Sequence, residues 1–224
     1  MTASHTQDLC RRSDLDTNGI AAKDIPGLFN AERNGLEELK AKLREQSKPA
    51  YSSEEIFGAF CHTGEYIRCP VDAAFAYMSN VYCLEEFTFS LRNFEPVEGG
   101  LYKGSDALAK DTSIYMRVDA YPDSRVIDHF CAWDQGEELW MRYHFRFLDA
   151  MPTVRRPGTI VLWSNCRHPY YDRSVTDIPT YISEPRARTD RLWVGDVWPS
   201  FYAIHNIEAA NLKTVLEYRF GRTL

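Results

Sequence analysis

Between residues 93 and 166 the sequence repeats one device six times, a short run with strand-like alternation followed by a turn. The runs are NFEPVE, LYKGSDAL, TSIYMRVDAYP, SRVIDHFCAW, ELWMRYHFRFLDA and GTIVLWSNC, and turn residues stand at Gly99-Gly100, Tyr121-Pro122-Asp123, Asp134-Gln135-Gly136 and Arg156-Pro157-Gly158. Connections this short join antiparallel neighbours, because a parallel pair needs a crossover of a dozen or more residues. The chain is therefore predicted to lay down an antiparallel meander. Such a sheet has an apolar face that needs cover. The cover is supplied by a helical pattern from about residue 200 to 220, in which Phe201, Ile204, Leu212, Val215 and Leu216 share one face and Asn206, Lys213 and Glu217 lie opposite. The order of elements is α+β.

Upstream of the meander the pattern is helical and irregular. The first 25 or so residues, with Ser13, Asp14, Asp16, Thr17, Asn18 and Gly19 clustered, have no apolar period and are expected to form a mobile or loosely docked arm. Residues 31–46 put Leu36, Leu39 and Leu43 on one helical stripe, fit to dock on the body or to support a homodimer. Ser52 and Glu55 form a capping box before Ile56, Phe57 and Phe60, which predicts another small helix. A strand then reads through Glu65 to Cys69, Pro70 opens a helix carrying Val71, Phe75 and Met78, and residues 83–89 read as a second short helix or turn. The organisation is an N-terminal extension over 1–60 and a core domain over 61–224, with an insertion at 168–199.

Charge and composition narrow the partner. A net charge of -6 argues against nucleic acid or an anionic membrane and leaves a small molecule as the expected ligand. No apolar run approaches the roughly 18 residues of a membrane span and the first 20 residues are polar, so a cytoplasmic location is expected. The six cysteines are scattered, with no Cys-x-x-Cys pair, and read as reduced thiols. Phosphate-cradling glycine motifs and the Gly-x-Ser-x-Gly elbow are absent.

The segment YIRCPVDAAFAYMSNVYCLEEFTFSLRNFEPV resembles the opening of the START, birch pollen allergen and polyketide cyclase superfamily, often called SRPBCC: a strand, a proline, a helix with an aromatic two turns in, then a Leu-x-x-aromatic turn that ends here on Phe87. The resemblance implies a helix-grip fold, a curved antiparallel sheet wrapped around a long C-terminal helix, here with extra N-terminal helices. It also implies a cavity between sheet and helix for an apolar or aromatic ligand. The insertion would then lie at the cavity mouth, where a long loop serves as a lid or binding loop.

Candidate chemistry sits on three segments. His205 and Glu208 fall within the apolar face of the last helix, where a carboxyl must be paired, protonated or bound to a cation. On the central hairpin, alternation groups His129, Cys131 and Trp133, and on the returning strand Trp140, Arg142, His144 and Arg146; taken together as one face, these either point to solvent or line a polar-aromatic cavity. The turn after the last strand brings His168 and Tyr171 to the proposed mouth. By resemblance to polyketide cyclases and aromatases, Arg142 would polarise a carbonyl of an aromatic or polyketide-type substrate. His144, Tyr171, His205 and Glu208 would move protons, and His129, Trp133, Trp140, His168 and Tyr202 would bind the substrate, with no cofactor. Two alternatives stand beside this. One resembles the phloretin and diacetylphloroglucinol hydrolases, with zinc on His129, His205 and Glu208 and with Asp128 or Asp134 as the nearest strand carboxylates; the other is a carrier of hydrophobic ligands.

Overall fold

The computed structural model describes residues 15, 19–46, 59–88, 90–109 and 111–224. The six expected runs are strands: β2 (Leu91–Val97), β3 (Leu101–Asp106), β4 (Ser113–Tyr121), β5 (Val126–Trp133), β6 (Met141–Asp149) and β7 (Thr159–Cys166), preceded by β1 (Phe60–Ile67). They form one antiparallel sheet in the order β1-β7-β6-β5-β4-β3-β2. The meander is thus continuous from β2 to β7, and β1 closes on the far side of β7 with Phe60 opposite Cys166 and Ile67 opposite Thr159. Among the described residues seven α-helices accompany it: α1 (Ala31–Asn34), α2 (Leu36–Gln46), α3 (Val71–Met78), α4 (Cys83–Phe87), α5 (Ala150–Val154), α6 (Thr180–Arg186) and α7 (Phe201–Phe220). This is the α+β helix-grip architecture, a curved sheet closed around the long C-terminal helix.

The helix is gripped from several sides. Its predicted apolar residues Phe201, Leu212, Val215 and Leu216 are buried. The polar stripe opposite does not face open water. Asn206 accepts a hydrogen bond from Thr63 Oγ1 at 2.8 Å, Lys213 pairs with Glu65 at 2.9 Å, and Glu217 accepts from the Arg68 backbone N–H at 2.9 Å. Asn206, Lys213 and Glu217 recur at i, i+7 and i+11, so one stripe runs along β1 and the residue after it. The helix end of the N-terminal segment covers a further side. Leu39 is fully buried with Ile207, and Leu43 packs at the edge of the same cluster. Leu39 and Leu43 of the stripe are therefore used within the chain.

The single helix expected over 31–46 is two. Asn30 caps the first through its side chain, which accepts from Arg33 N at 3.0 Å, and Gly35 ends it at φ 77°, a conformation that costs glycine nothing and other residues a great deal. The arm is also tighter than its composition suggests where it is described. Ile25 and Leu28 are buried, and Asn211 of α7 holds the Phe29 backbone from both ends, accepting from its N–H at 2.9 Å and donating to its carbonyl at 2.6 Å. The capping box at Ser52 and Glu55 lies outside the described residues.

The insertion is ordered by its own bonds. The Arg191 side chain is almost wholly buried: it pairs with Asp134 at the exit of β5 (2.8 Å) and donates to Thr112 Oγ1 (2.5 Å). Arg186 likewise donates to the carbonyl of Tyr170 at 3.0 Å. Gly195 is required by close approach, since a Cβ there would lie 2.5 Å from Trp193 Nε1 and 2.9 Å from Tyr171 Cδ1. Among the described residues no helix is long and apolar enough to cross a membrane, and Cys61, Cys69, Cys83, Cys131 and Cys166 are free thiols.

Candidate functional site

A cavity of about 120 Å³ lies between the sheet and α7. Its walls come from α4 (Leu84, Phe87), the inward positions of β4 to β7, and the Phe201, Ile204, His205 and Glu208 face of α7. The insertion contributes Leu192, Val194 and Val197. The register explains which strand residues arrive there. In an antiparallel pair, directly opposed residues share a face. His129 is opposite Tyr143 and Cys131 opposite Met141, so the inward set of the β5–β6 hairpin is His129, Cys131 and Trp133 with Met141, Tyr143 and Phe145. The outward set is Asp128 and Phe130 with His144 and Arg142.

This corrects the expected grouping. Alternation within each strand holds, but the two strands are in the opposite phase, so neither single-face assignment of the His, Arg and Trp residues is right. Arg142 is exposed on the outer face, its guanidinium 5.1 Å from the Phe130 ring, and His144 Nδ1 bonds Asp128 at 2.7 Å on that face. Trp140 lies just before β6 and is buried. It packs in an aromatic cluster with His168 (5.0 Å), Tyr171 (5.4 Å) and Trp193 (6.0 Å), and with His168 it borders the outer-face depression that Arg142 and His144 also line. Tyr171 is buried in that cluster against Trp198, and Tyr202 is exposed on α7; neither lines the cavity. Of the expected site residues the structure brings four to one place: His129, Trp133, His205 and Glu208.

His205 is boxed by rings. Trp163 stacks on it at 4.3 Å and 27°, Tyr143 meets it edge-on at 5.6 Å, and Phe201 lies at 5.4 Å. Its Nδ1 is 3.6 Å from Cys61 Sγ. Loss of water on burial pushes the imidazole down to about 3 and the Cys61 thiol up to about 12, so both are neutral at pH 7. His129 is buried as well and is pushed down to about 4 by the same cause. Its Nε2 lies 3.4 Å from the Met78 carbonyl, an acceptor only, which assigns the proton to Nε2 and leaves Nδ1 as an acceptor. Burial, with neighbours that include Glu208, holds the Tyr143 phenol well above its ordinary range and therefore as a hydrogen-bond donor.

Tyr143, Trp163 and Asp106 also line the wall and were not expected there from sequence. Parity along each strand carries the signal for all three, since Tyr102, Gly104 and Asp106 alternate inward on β3 and Val161, Trp163 and Asn165 do so on β7. Asp106 is buried, which raises its carboxyl, although Leu108 N donates to it at 2.9 Å.

The residues do not fit a zinc centre. Among the described residues no three His, Cys, Asp or Glu side chains come together as ligands. The two carboxylates expected nearest to such a centre are directed elsewhere, Asp128 to His144 and Asp134 to Arg191.

No protein-family model matches the chain, and no curated protein matches it. Solved structures do. An aromatase/cyclase from a Streptomyces species is 14% identical with a TM-score of 0.48, over 71% of this chain and 92% of that one. A START superfamily protein from Mycobacterium smegmatis is 9% identical with a TM-score of 0.43, over 75% and 100%. Ara h 8.0201 is 14% identical with a TM-score of 0.42, over 68% and 96%. Likeness at this level concerns fold alone. Strand order, the helix laid in the sheet and the cavity between them give this chain a helix-grip fold.

Proposed function

We propose that the chain binds a small aromatic or polyketide-type molecule between the sheet and α7 and acts on it by acid-base chemistry of the cyclase or aromatase kind. The observation that carries this reading is the arrangement of neutral His205 in its ring box, with Tyr143 and Glu208, around one cavity. With Nδ1–H given to Cys61 Sγ, Nε2 of His205 is free to take the proton from the carbon between two carbonyls. The Tyr143 hydroxyl donates to the carbonyl oxygen where charge develops. The carbanion attacks a second carbonyl carbon to form the ring bond, and the alkoxide that results takes the proton from His205. Loss of water follows when His205 removes the second hydrogen of the same carbon and delivers it to the departing hydroxyl as the double bond forms. Glu208, one turn along the helix, offsets the imidazolium while it exists. Arg142 and His144, on the other face, take no part.

The cavity volume sets a scale. About 120 Å³ holds roughly one aromatic ring, since a void of ~150 Å³ accepts benzene. A longer polyketone enters only when Leu192, Val194 and Val197 move aside, so the insertion acts as the lid of the site. The test is incubation with a panel of cyclisable aryl polyketones, followed by product analysis. His205→Ala is expected to slow turnover by about 100-fold or more, the usual scale for a general base. Ligand recovered unchanged from wild-type protein would replace catalysis by carriage, which the largely apolar lining also suits.

A further inference from the structure

We infer that His129 and Tyr143 select the ligand by hydrogen bonding: the cavity takes a one-ring arene that carries a hydroxyl, in preference to an apolar arene of equal size. The inference rests on the ligand-binding reading above and deepens it. His129 and Tyr143 are directly opposed on β5 and β6, and both line the cavity. Opposed residues share a face with their Cβ atoms about 5 Å apart, so one patch of wall carries both polar groups. His129 is 2% exposed, and its proton is committed: Nε2 faces the Met78 carbonyl, which can only accept, at 3.4 Å. Nδ1 therefore presents a lone pair, and among the described residues nothing donates to it. The Tyr143 ring is held edge-on to Trp163 and His205 at 6.5 and 5.6 Å, and among the described residues its hydroxyl makes no hydrogen bond.

Other polar groups of the wall are engaged. Thr88 donates to the Leu84 carbonyl at 2.6 Å and accepts from Leu91 N at 3.1 Å, while Ser90 and Leu108 N both bond the Asp106 carboxyl. His205 serves as the base in the reading above. His129 Nδ1 is a second acceptor, fixed by a backbone carbonyl rather than by a thiol. Burial pushes the His129 imidazole down to about 4, so its lone pair is present at neutral pH. A donor and an acceptor enclosed without partners carry a penalty that a matching ligand removes. A hydroxyl is donor and acceptor at once: it gives its hydrogen to His129 Nδ1 and receives one from Tyr143. Phe145, Trp163, Phe201 and Ile204 offer the ring its apolar surroundings. An apolar arene fills the same space and leaves both wall groups unpaired, the situation in which a polar site discriminates most strongly.

Three probes of nearly equal size separate the possibilities: benzyl alcohol, anisole and ethylbenzene, titrated into wild-type protein at pH 7.5 by calorimetry. Benzyl alcohol is expected to bind at least as tightly as ethylbenzene, although its hydroxyl must give up water that ethylbenzene never held. His129→Leu is expected to weaken benzyl alcohol by about five- to tenfold and to leave anisole and ethylbenzene, which have no hydrogen to donate, within about twofold. Tyr143→Phe is an independent check should the β5 variant fold poorly: it should weaken benzyl alcohol and anisole, both acceptors, relative to ethylbenzene. Ethylbenzene binding tighter than benzyl alcohol in wild type would overturn the selection while leaving the ligand-binding cavity in place. So would a folded variant of either residue in which benzyl alcohol loses no more affinity than ethylbenzene. If none of the three binds, the cavity reading itself falls and takes this inference with it.

Discussion

The two faces of the β5–β6 hairpin hold the same residue types and do different things with them. On the inner face His129 is buried against the Met78 carbonyl, opposite Tyr143 and facing α7. On the outer face His144 is 44% exposed at its side chain and sits on Asp128, two pairings away from Phe130 and Arg142. The outer face has the charged groups that suggest catalysis when read as a list. The inner face has the enclosure, the neutral imidazoles and the phenol held as a donor. Chemistry on a small apolar molecule needs exclusion of water more than it needs formal charge, so the inner face is the one to test.

The largest expected effect comes from neighbours on β7 that point opposite ways. Trp163 is buried against Phe145 (4.9 Å), Phe87 (6.3 Å) and His205, whereas Leu162 beside it is 46% exposed. Trp163→Ala is expected to cost about 3–5 kcal/mol in chemical denaturation, while Leu162→Ala stays within about 0.5 kcal/mol. Equal losses at the two positions would break the assignment of faces.

Next is the cover of the inner face. Arg191 anchors the insertion to Asp134 with its side chain only 3% exposed, and removing one partner of so enclosed a pair leaves the other without its counter-charge. Arg191→Met is expected to destabilise by about 3 kcal/mol and to raise the release rate of any cavity ligand. Unchanged release, measured by stopped flow, would detach the insertion from the site.

The buried histidines set a pH dependence of stability. Both have folded values below the ordinary 6.5, about 4 for His129 and about 3 for His205, so between those values and 6.5 the unfolded chain binds more protons than the folded one. Their contribution is complete above pH 6.5 and is lost as pH falls, at up to about 1.4 kcal/mol per pH unit for each histidine. Denaturation midpoints between pH 7 and 5 should fall for wild type and flatten in a His129→Gln/His205→Gln variant. A wild-type profile that is level across this range would show that the two rings are not held neutral.

What the sequence made readable, and what it hid, follows from the same hairpin. Alternation and turn residues announce each strand, because burial of one face forces period two, and all six runs of the meander are where they were expected. Phase between strands is another matter. It depends on how the seven residues from 134 to 140 leave β5 and rejoin β6, with Asp134 in a left-handed conformation (φ 69°) and its carboxylate tied to an arginine 57 residues away. No local pattern records that bond. A shift of one residue exchanges every side chain between faces, which is why Arg142 and His144 were expected beside His129 and instead lie behind it. On α7 the helical period carries its own phase, and there His205 and Glu208 are where sequence placed them.

The smallest expected effects are the most informative about that phase. Arg142→Ala removes an exposed guanidinium that lies over the Phe130 ring, and His144→Ala removes one partner of a half-exposed pair. Each is expected to change stability by no more than about 1 kcal/mol. Neither side chain reaches the cavity through the sheet, so the affinity of the wild-type cavity for benzyl alcohol should be retained within about twofold in both variants. His205→Ala in the same assay removes part of the wall itself and should weaken that affinity by more than either. If Arg142→Ala or His144→Ala abolished binding while the fold remained intact, the ligand would have to sit on the outer face, in the depression bordered by Trp140 and His168, and the inner cavity would be no more than a packing void.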